Sequence, residues 1–109
     1  MVKEMSQYEV YWISLDPTQG SEMAKTRPCV IVSPNEMNQF LRTVVVIPIT
    51  STIRAYPWRV QCIVSGKQGS VATDQIKVAD KARIGSKIGT LSESEIIALK
   101  DVLQRMLID

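Results

Sequence analysis

An arginine–proline step is the segment of this sequence that most readily suggests a chemical function. Arg27 and Pro28 close a polar stretch and lead directly into an apolar run from Cys29 to Val32. Pro28 fixes its own φ and favours an extended conformation for Arg27, so the guanidinium is expected at the rim of a buried strand. A planar guanidinium can donate two hydrogen bonds to one phosphate. The pattern therefore predicts a phosphate site at Arg27; the alternative is an ion pair with a carboxylate at the mouth of a barrel.

The absence of histidine narrows the reactions open to this chain. With no histidine in the sequence, a histidine general base, a histidine-containing triad and a histidine-ligated metal are all excluded. The two cysteines, Cys29 and Cys62, lie in apolar strand patterns and are too few for a cysteine-only zinc site. They are predicted to be small buried hydrophobic residues. Catalysis would have to use Arg, Lys, Asp, Glu, Ser, Thr or Tyr.

Length and composition are those of an ordinary globular protein. The 109 residues predict one domain, 1–109, and a content of 45% hydrophobic and 22% charged residues suits a modest core. The net charge of +2 permits a nucleic-acid partner without requiring one. No apolar run approaches the roughly 20 residues of a membrane span, and Met1 to Ser6 lacks the apolar region of a signal peptide. A cytoplasmic location without a membrane partner is expected.

Alternation of apolar and polar residues predicts five or six short strands. They are expected over Tyr8–Leu15, Arg27 to about Ser33, Thr43–Thr50, Trp58–Ser65, Ser70–Val78 with a break at Thr73–Gln75, and near Lys87–Thr90. Pro48 lacks an N–H, which predicts an edge position or a bulge. In the fourth strand, Trp58, Val60, Cys62 and Val64 are expected inside, and a hairpin turn is expected over Ser65–Gly69.

Two helices are predicted from capping signals. Ser33 is expected to cap a short helix that ends near Phe40, with Pro34 in its first turn. Ser92 and Glu95 form a capping box that opens a long amphipathic helix. Short strands with tight turns and a C-terminal helix predict a mainly β (α+β) fold, a small and strongly curved antiparallel barrel. Apolar residues on both faces of the early strands suggest a dimer interface.

Seven short segments, spread over nearly the whole chain, share their order and spacing with one known family. They are Leu15–Glu22, Arg27–Pro28 with Val30–Pro34, Val46–Ser51, Tyr56–Trp58, Val64–Gly66, Asp74–Lys77 and Lys81–Arg83. No segment is specific alone, but the ordered set is. The chain resembles the MazF/PemK (Kid) family of toxins of bacterial type II toxin–antitoxin systems, and it is closer to the MazF branch.

The resemblance implies an SH3-like barrel that forms a homodimer. It also implies a ribosome-independent endoribonuclease that cuts single-stranded RNA, chiefly mRNA, at short motifs and without a metal. In such enzymes the 2′-hydroxyl attacks the adjacent phosphate and leaves a 2′,3′-cyclic phosphate and a 5′-hydroxyl. A cognate antitoxin with an acidic, disordered C-terminal segment would block the RNA groove, and promoter DNA would be contacted only through the toxin–antitoxin complex.

The resemblance implies a catalytic pair. Arg27 matches the family arginine and would stabilise charge that develops on the phosphate oxygens. Thr50 matches the family threonine, whose hydroxyl could orient the phosphate or relay a proton, although threonine is a poor base without activation. The alternative for Thr50 is a hydroxyl that only satisfies the backbone where a strand ends.

Other residues are candidates for RNA binding. Ser51 and Thr52 could bind phosphate, and the ring of Tyr56 could stack on a base. Asp74 and Gln75 could pair with base edges, and Lys77 could contact the RNA backbone. In the stretch before Arg27, Glu22 could orient the arginine or contact a base.

Two departures from the Kid branch favour a MazF-like mechanism on Arg27 and Thr50. Ser21 occupies the position of the Kid-branch histidine, and Ala72 occupies the position of the arginine that would pair with Asp74. Asp74 is therefore expected to have a structural or RNA-positioning role, with capping of a turn as the alternative.

Two other functions fit the same fold. A gyrase poison of the CcdB type would need neither Arg27 nor Thr50, but the C-terminal sequence Leu107-Ile108-Asp109 differs from the Trp-Gly-Ile tail of that family. A non-catalytic SH3-like module that binds RNA, DNA or peptide would lose affinity on removal of Arg27 but would have no cleavage to lose.

Overall fold

A computed structural model describes residues 5–15, 26–53 and 56–108. Seven strands and two helices lie within these ranges. The strands are β1 (Glu9–Ser14), β2 (Thr26–Ile31), β3 (Thr43–Thr50), β4 (Val60–Val64), β5 (Lys67–Val71), β6 (Lys77–Asp80) and β7 (Ile84–Thr90); the helices are α1 (Asn35–Phe40) and α2 (Glu93–Leu107). Short 3-10 turns cover Thr73–Gln75 and Lys81–Arg83. No helix in these ranges is long and apolar enough to cross a membrane.

The strands form one curved antiparallel sheet in the order β4-β5-β3-β2-β1-β7, and β6 pairs with β3. The sheet curls until its edge strands approach each other. Their proximity is seen at Gly89 of β7, where an added Cβ would lie 3.0 Å from Val64 Cγ1 of β4. This half-barrel with a C-terminal helix confirms the predicted fold class.

Side chains alternate between two buried clusters, one on each face of the sheet. The inner cluster lies between the sheet and α2 and contains Val10, Val30, Ile47, Ile49, Val60, Cys62, Val64, Val71, Leu91, Leu99 and Val102. The outer cluster contains Met5, Tyr11, Ile13, Cys29, Ile31, Val44, Val46, Ala79 and Ile84. Because both faces of β1, β2 and β3 are covered within one chain, these strands read as nearly continuous apolar runs.

The expectation that Pro48 marks an edge strand or a bulge is wrong. β3 lies inside the sheet, and Pro48 is paired with Cys29 of β2. On its other side, β3 pairs with β6 over Thr43–Val46 and with β5 over Ile49–Thr50. Pro48 falls in the gap between these partners, where its carbonyl accepts from Ala72 N. The missing N–H of Pro48 is tolerated because no strand in the described ranges needs a hydrogen-bond donor at that position.

The expected cap of the short helix is also wrong. Pro34, not Ser33, occupies the N-cap position of α1, and no side chain caps this end. The Ser33 hydroxyl donates to Asn38 Oδ1 (2.5 Å) and accepts from Val45 N (3.0 Å). The Ser33 hydroxyl therefore links α1 to β3. Because it is used in these two hydrogen bonds, it does not cap the N-terminus of α1.

Three strand boundaries differ from the predictions. The hairpin turn contains only Ser65 and Gly66, both at positive φ (53° and 77°), so that β5 starts at Lys67. The last strand begins at Ile84, because β1 pairs with it through a register with two irregularities that no alternation reveals. Trp58 precedes β4 and is 42% exposed, so its assignment to the core is wrong, whereas Val60, Cys62 and Val64 are buried as expected.

The capping box of α2 is confirmed and does more than cap the start of the helix. Glu95 N donates to Ser92 Oγ, and Ser92 N donates to Glu95 Oε1. The second carboxylate oxygen, Oε2, accepts from Ile63 N of the edge strand β4 at 2.8 Å. Farther along α2, Asp101 and Arg105, four residues apart, form an ion pair at 2.9 Å.

Replacing Gly69 with alanine is expected to destabilise the fold by about 1–3 kcal/mol, the usual cost of overpacking. The added Cβ would lie 2.7 Å from Ile49 Cγ2 and 3.3 Å from the Thr50 carbonyl oxygen. Urea unfolding followed by circular dichroism measures the change. Gly66→Asn is the matched control, since its Cβ meets nothing within 4 Å and asparagine accepts positive φ; equal destabilisation by both variants would contradict the packing argument.

Candidate active site

Arg27 and Thr50 end two neighbouring central strands. The pairing of β2 with β3 ends at Cys29 and Pro48; continued by two residues, the same register would align Arg27 with Thr50, and both residues border one cleft. Residues that oppose each other in an antiparallel pair share a face, with Cβ atoms about 4.5–5.5 Å apart. On its other side, Arg27 is opposite Ile13 of β1. The sheet thus brings the two predicted catalytic residues together.

The charge of Arg27 is not neutralised by any carboxylate in the described part of the chain. The ion pairs found there join Arg59 to Asp74, Lys87 to Glu9 and Arg105 to Asp101. The alternative of an Arg27 ion pair at the barrel mouth is therefore not observed within these ranges. A half-buried guanidinium without such a partner is a favourable donor for an anion from solution.

Lys77 lies on the outer face, opposite Val46 of β3, which by alternation shares the face of Thr50. Burial raises the pKa of the Cys29 thiol to about 12, while the charges of Lys77 and Arg27 act in the opposite direction. Both cations therefore lie within electrostatic reach of this fully buried thiol. The candidate RNA-backbone lysine thus lies on the face that the two candidate catalytic residues share.

The Thr50 hydroxyl is oriented by the turn that follows its strand. Its Oγ1 accepts a hydrogen bond from Thr52 N at 3.1 Å. Because a hydroxyl has one proton and two lone pairs, this contact occupies a lone pair and leaves the proton available for donation. Ser51 and Thr52 are exposed beside it, where phosphate oxygens could reach their hydroxyls.

Arg27, Thr50 and Ser51 border a cleft of about 270 Å³. Its other lining residues come mainly from the inner face and are Val10, Trp12, Pro28, Ile49, Cys62, Val64, Lys67, Gln68, Gly69 and Ile88. Trp12, Lys67 and Gln68 were missed by sequence reasoning. Alternation places Trp12 on the face of Val10 but gives it no function, and Trp12 is 40% exposed; Lys67 and Gln68 were assigned to the hairpin turn. A two-residue turn with Gly at its second position was the signal that could have placed them in a strand.

Asp74 has an arginine partner that sequence comparison did not reveal. Arg59 donates from Nε and Nη2 to the two carboxylate oxygens of Asp74, at 3.0 and 3.1 Å. The pair joins the segment before β4 to the Thr73–Gln75 turn, and Thr73 adds a hydrogen bond from its hydroxyl to the Trp58 carbonyl. The Arg59 guanidinium holds the pKa of the Asp74 carboxyl below its usual value. The absence of an arginine at position 72 thus does not leave Asp74 unpaired.

The two aromatic rings before β4 stack on each other. The Tyr56 and Trp58 ring centroids are 4.7 Å apart with an interplanar angle of 8°. Arg59 Cζ lies 5.5 Å from the Tyr56 centroid, within cation–π range. Both rings are partly exposed, so they form a preordered aromatic surface, but neither lines the cleft.

The remaining candidates divide into separate groups. Asp74 and Gln75 lie in the exposed 3-10 turn outside the cleft lining, and Ser21 and Glu22 lie outside the described residues. Two further lysines have partners within the chain, since Lys81 Nζ donates to the Asn38 carbonyl and Lys87 Nζ is 2.7 Å from Glu9 Oε2. Within the described ranges, no group of three or more Cys, Asp or Glu side chains is arranged to hold a metal ion.

Replacing Arg59 with glutamine is expected to raise the pKa of Asp74 towards its ordinary value. In the folded protein this pKa is lowered, so the pair stabilises the fold above the unfolded-state pKa of Asp74 and this contribution is lost as the pH falls through the folded-state value. Carbon-13 NMR titration of the Asp74 carboxyl measures the shift. Arg105→Gln removes a different ion pair and should leave that titration unchanged; an unshifted Asp74 in Arg59→Gln would show that Arg59 is not the cause.

Comparison with known proteins identifies the family. Residues 6–107 match the family described as PemK-like, MazF-like toxin of type II toxin–antitoxin system. The endoribonuclease toxin MazF of Escherichia coli is 33% identical over 93 residues, which cover 84% of each chain. The endoribonuclease PemK of Escherichia coli is 32% identical over 109 residues, covering 94% of this chain and 80% of its own.

Solved structures agree with the fold. MazF from Deinococcus radiodurans superposes with a TM-score of 0.83 at 21% identity, covering 99% of this chain and all of its own. An endoribonuclease in complex with its cognate antitoxin from a mycobacterial species superposes with a TM-score of 0.79 at 24% identity, covering 94% of each chain. Together with the match over residues 6–107, these findings show that the chain belongs to the PemK-like, MazF-like family of toxins of type II toxin–antitoxin systems.

Proposed function

We propose that this endoribonuclease toxin cleaves single-stranded RNA, chiefly mRNA, at short sequence motifs by attack of a ribose 2′-hydroxyl on the adjacent phosphate. The products would carry a 2′,3′-cyclic phosphate and a 5′-hydroxyl. The observation that carries the proposal is the juxtaposition of Arg27 and Thr50 at the ends of two paired strands, beside one cleft.

Arg27 would act on the charge of the reacting phosphate. In-line attack concentrates negative charge on the non-bridging oxygens, and a donor fixed in advance stabilises that charge more than it stabilises the ground state. The strand holds Arg27 rigidly at its backbone, and no carboxylate in the described residues competes for the guanidinium. Both conditions favour binding of the phosphate at this position.

Thr50 would donate its proton to a phosphate oxygen. Thr52 N already occupies a lone pair of the hydroxyl, which orients the remaining proton. A threonine hydroxyl stays protonated near neutral pH unless it is activated, so positioning the phosphate is its proposed role and proton relay is the rival role.

Neither the two cysteines nor Asp74 competes with the ribose 2′-hydroxyl as the nucleophile or supplies a strong base. Burial raises the pKa of the Cys29 thiol to about 12 and that of the Cys62 thiol to about 11, so neither is a thiolate at neutral pH. Asp74 is bound by Arg59 through both oxygens, and its lowered pKa makes it a weak base. These features favour attack by the 2′-hydroxyl and a structural role for Asp74 as the anchor of Arg59.

The other proposed contacts follow from position. Lys77 would bind a phosphate on the outer face, next to Arg27. Ser51 and Thr52 would donate to the backbone beside the cleaved bond, whereas Tyr56 and Gln75 would contact bases outside the cleft. Ser21 and Glu22 stay proposed RNA contacts on the strength of the sequence alone. The reaction is proposed to require no metal and to take place in the cytoplasm.

A homodimer and a cognate antitoxin are the proposed protein partners. A relative has been solved in complex with its cognate antitoxin, and an acidic antitoxin segment would compete with RNA for Arg27 and Lys77. The apolar faces of the early strands are buried within the chain, with Val10 and Ile13 fully covered, so they do not supply a dimer surface. The exposed side chains of Phe40 and Val78 are better candidates, and sedimentation equilibrium of Phe40→Glu tests the first of them.

The test is cleavage of a long single-stranded RNA by the purified chain in excess EDTA, with the ends mapped. Discrete cuts at one short motif, with 2′,3′-cyclic phosphate ends, are expected. Intact RNA across substrates of diverse sequence would overturn the proposal, and a gyrase assay and RNA-binding assays would then distinguish the two other functions. Family membership favours the ribonuclease over the gyrase inhibitor, and the curated relatives named endoribonucleases favour it over a binding module.

A further inference from the structure

We propose that the cleft beside Arg27 and Thr50 is a nucleotide subsite, in which Trp12, Lys67 and Gln68 bind the ribonucleotide next to the cleaved bond. This inference rests on the proposed function, because it adds a specificity-determining contact to the same substrate. It gives a binding role to these three residues, which belong neither to the proposed catalytic pair nor to the other proposed RNA contacts.

The cleft extends beyond the catalytic pair. A second depression of about 360 Å³ is lined by Trp12, Val64, Ser65, Lys67, Lys87 and Ile88. It shares Trp12, Val64, Lys67 and Ile88 with the first cleft, so the two form one groove leading away from Arg27. Ligand pockets usually measure about 300–1,000 Å³, and volumes at the lower end of this range suit a single nucleotide.

The short hairpin directs Lys67 into this groove. Ser65 and Gly66 form a two-residue turn with positive φ at both positions, the signature of a type I′ turn. Lys67 is therefore the first residue of β5 and lies directly opposite Val64. Opposed residues share a face, and Val64 belongs to the inner cluster. The ammonium consequently lies at the mouth of the inner face, where the groove opens.

The charge of the groove favours a phosphate. Arg27, Lys67 and Lys87 contribute to its lining, and among the described residues no Asp or Glu does so. Lys87 is compensated by Glu9 at 2.7 Å, whereas no carboxylate in the described residues pairs with Lys67. A phosphodiester that continues from Arg27 would meet Lys67 as the next uncompensated cation.

The remaining lining suits a nucleobase. Trp12 is 40% exposed and offers its indole for stacking on a base. Apolar side chains of Val10, Ile49 and Val64 form the floor. Gln68 alternates with Lys67 and lies on the face of Thr50, at the rim of the same cleft, where its amide can donate to and accept from a base edge, which single-stranded RNA exposes. An apolar floor, one ring, one amide and one cation together fit a nucleotide of single-stranded RNA.

The test uses Trp58→Phe as the background, because Trp12 is then the only tryptophan. Short random-sequence 2′-fluoro RNA, which lacks the attacking hydroxyl, is titrated while tryptophan emission is recorded at several salt concentrations. Quenching of Trp12 is expected. Lys67→Ala should weaken binding and reduce the slope of log K against log salt by about 0.7, the value for one phosphate contact on a single strand. Lys100→Ala, an exposed cation on α2 outside the groove, is the matched control and should leave the slope unchanged.

The outcomes separate the subsite from the proposed function. RNA cleavage by the unmodified chain, with neither quenching of Trp12 nor a changed slope in Lys67→Ala, would overturn the subsite alone. Gln68→Ala should alter the mapped base preference next to the cut while leaving the end chemistry unchanged, and an unaltered preference would remove Gln68 from the assignment. Intact RNA together with no binding would overturn both proposals.

Discussion

Replacing Arg27 with alanine is expected to lower kcat/KM for RNA cleavage by about 100- to 1,000-fold, as removal of one preorganised donor does in other enzymes that stabilise an oxyanion. The guanidinium borders the cleft opposite Thr50, and water that replaces it would have to reorganise as charge develops on the phosphate. Most of the loss should appear in kcat, since the contact strengthens in the transition state. Rates with a fluorescent single-stranded RNA that carries the mapped motif measure the change.

Arg27→Lys distinguishes charge from geometry at this position. Lysine keeps the positive charge but not the planar fork, so an intermediate rate is expected. Thermal unfolding should show that both variants fold. A full rate in Arg27→Ala would refute the catalytic assignment, and a full rate in Arg27→Lys would show that charge alone is sufficient.

Replacing Thr50 with valine is expected to lower kcat/KM by about 10- to 100-fold. Valine keeps the shape of the side chain but removes the hydroxyl, and a hydrogen bond to a charged group contributes about 1.5–3 kcal/mol. Thr52 N loses its acceptor as well, but this amide belongs to an exposed residue and water can replace the contact. Single-turnover cleavage of the same RNA measures the loss.

Thr50→Ser and the pH dependence of cleavage separate the two roles of the hydroxyl. Serine restores the donor and should recover most of the rate. If Thr50 only positions the phosphate, the pH–rate profile of Thr50→Val keeps its shape at a lower level. Loss of one limb of the profile would instead assign a proton transfer to Thr50.

The sequence predicted the strands that carry the catalytic pair more accurately than the contacts around it. Thr43–Thr50 was placed correctly because its β-branched residues are buried on both faces, and the α2 capping box is a local signal read within four residues. The prediction for Pro48 was wrong because a proline is tolerated inside β3 at the gap between the partner strands β5 and β6. That gap is a property of the assembled sheet and is absent from any window of the chain.

The parts of the site that were missed depend on pairing across long sequence separations. Arg59 and Asp74 are 15 positions apart, and alternation along a strand predicts the face of a side chain but not its partner. Side chains alternate between the two faces of a strand, so an error in the length of a hairpin turn changes which residues are assigned to the strand and to each face. Because the predicted turn was extended to Gly69, Lys67 and Gln68 were assigned neither to the strand nor to the groove. Arg27 was proposed from the Arg27–Pro28 step and again from the family resemblance, whereas Thr50 was proposed from the resemblance alone; periodicity marked neither.

The carboxylate of Glu95 couples local unfolding of the start of α2 to exposure of the edge of β4. It binds Ser92 N at the start of α2 and Ile63 N on the edge of β4, so the edge amide is shielded only while the first helical turn is intact. The Ile63 amide should therefore exchange its hydrogen with solvent at the rate at which this turn unravels, making the helix start and the strand edge one cooperative unit. The same contact occupies a donor that another chain could otherwise use to extend the sheet, so fraying of α2 would expose a site for strand-to-strand association.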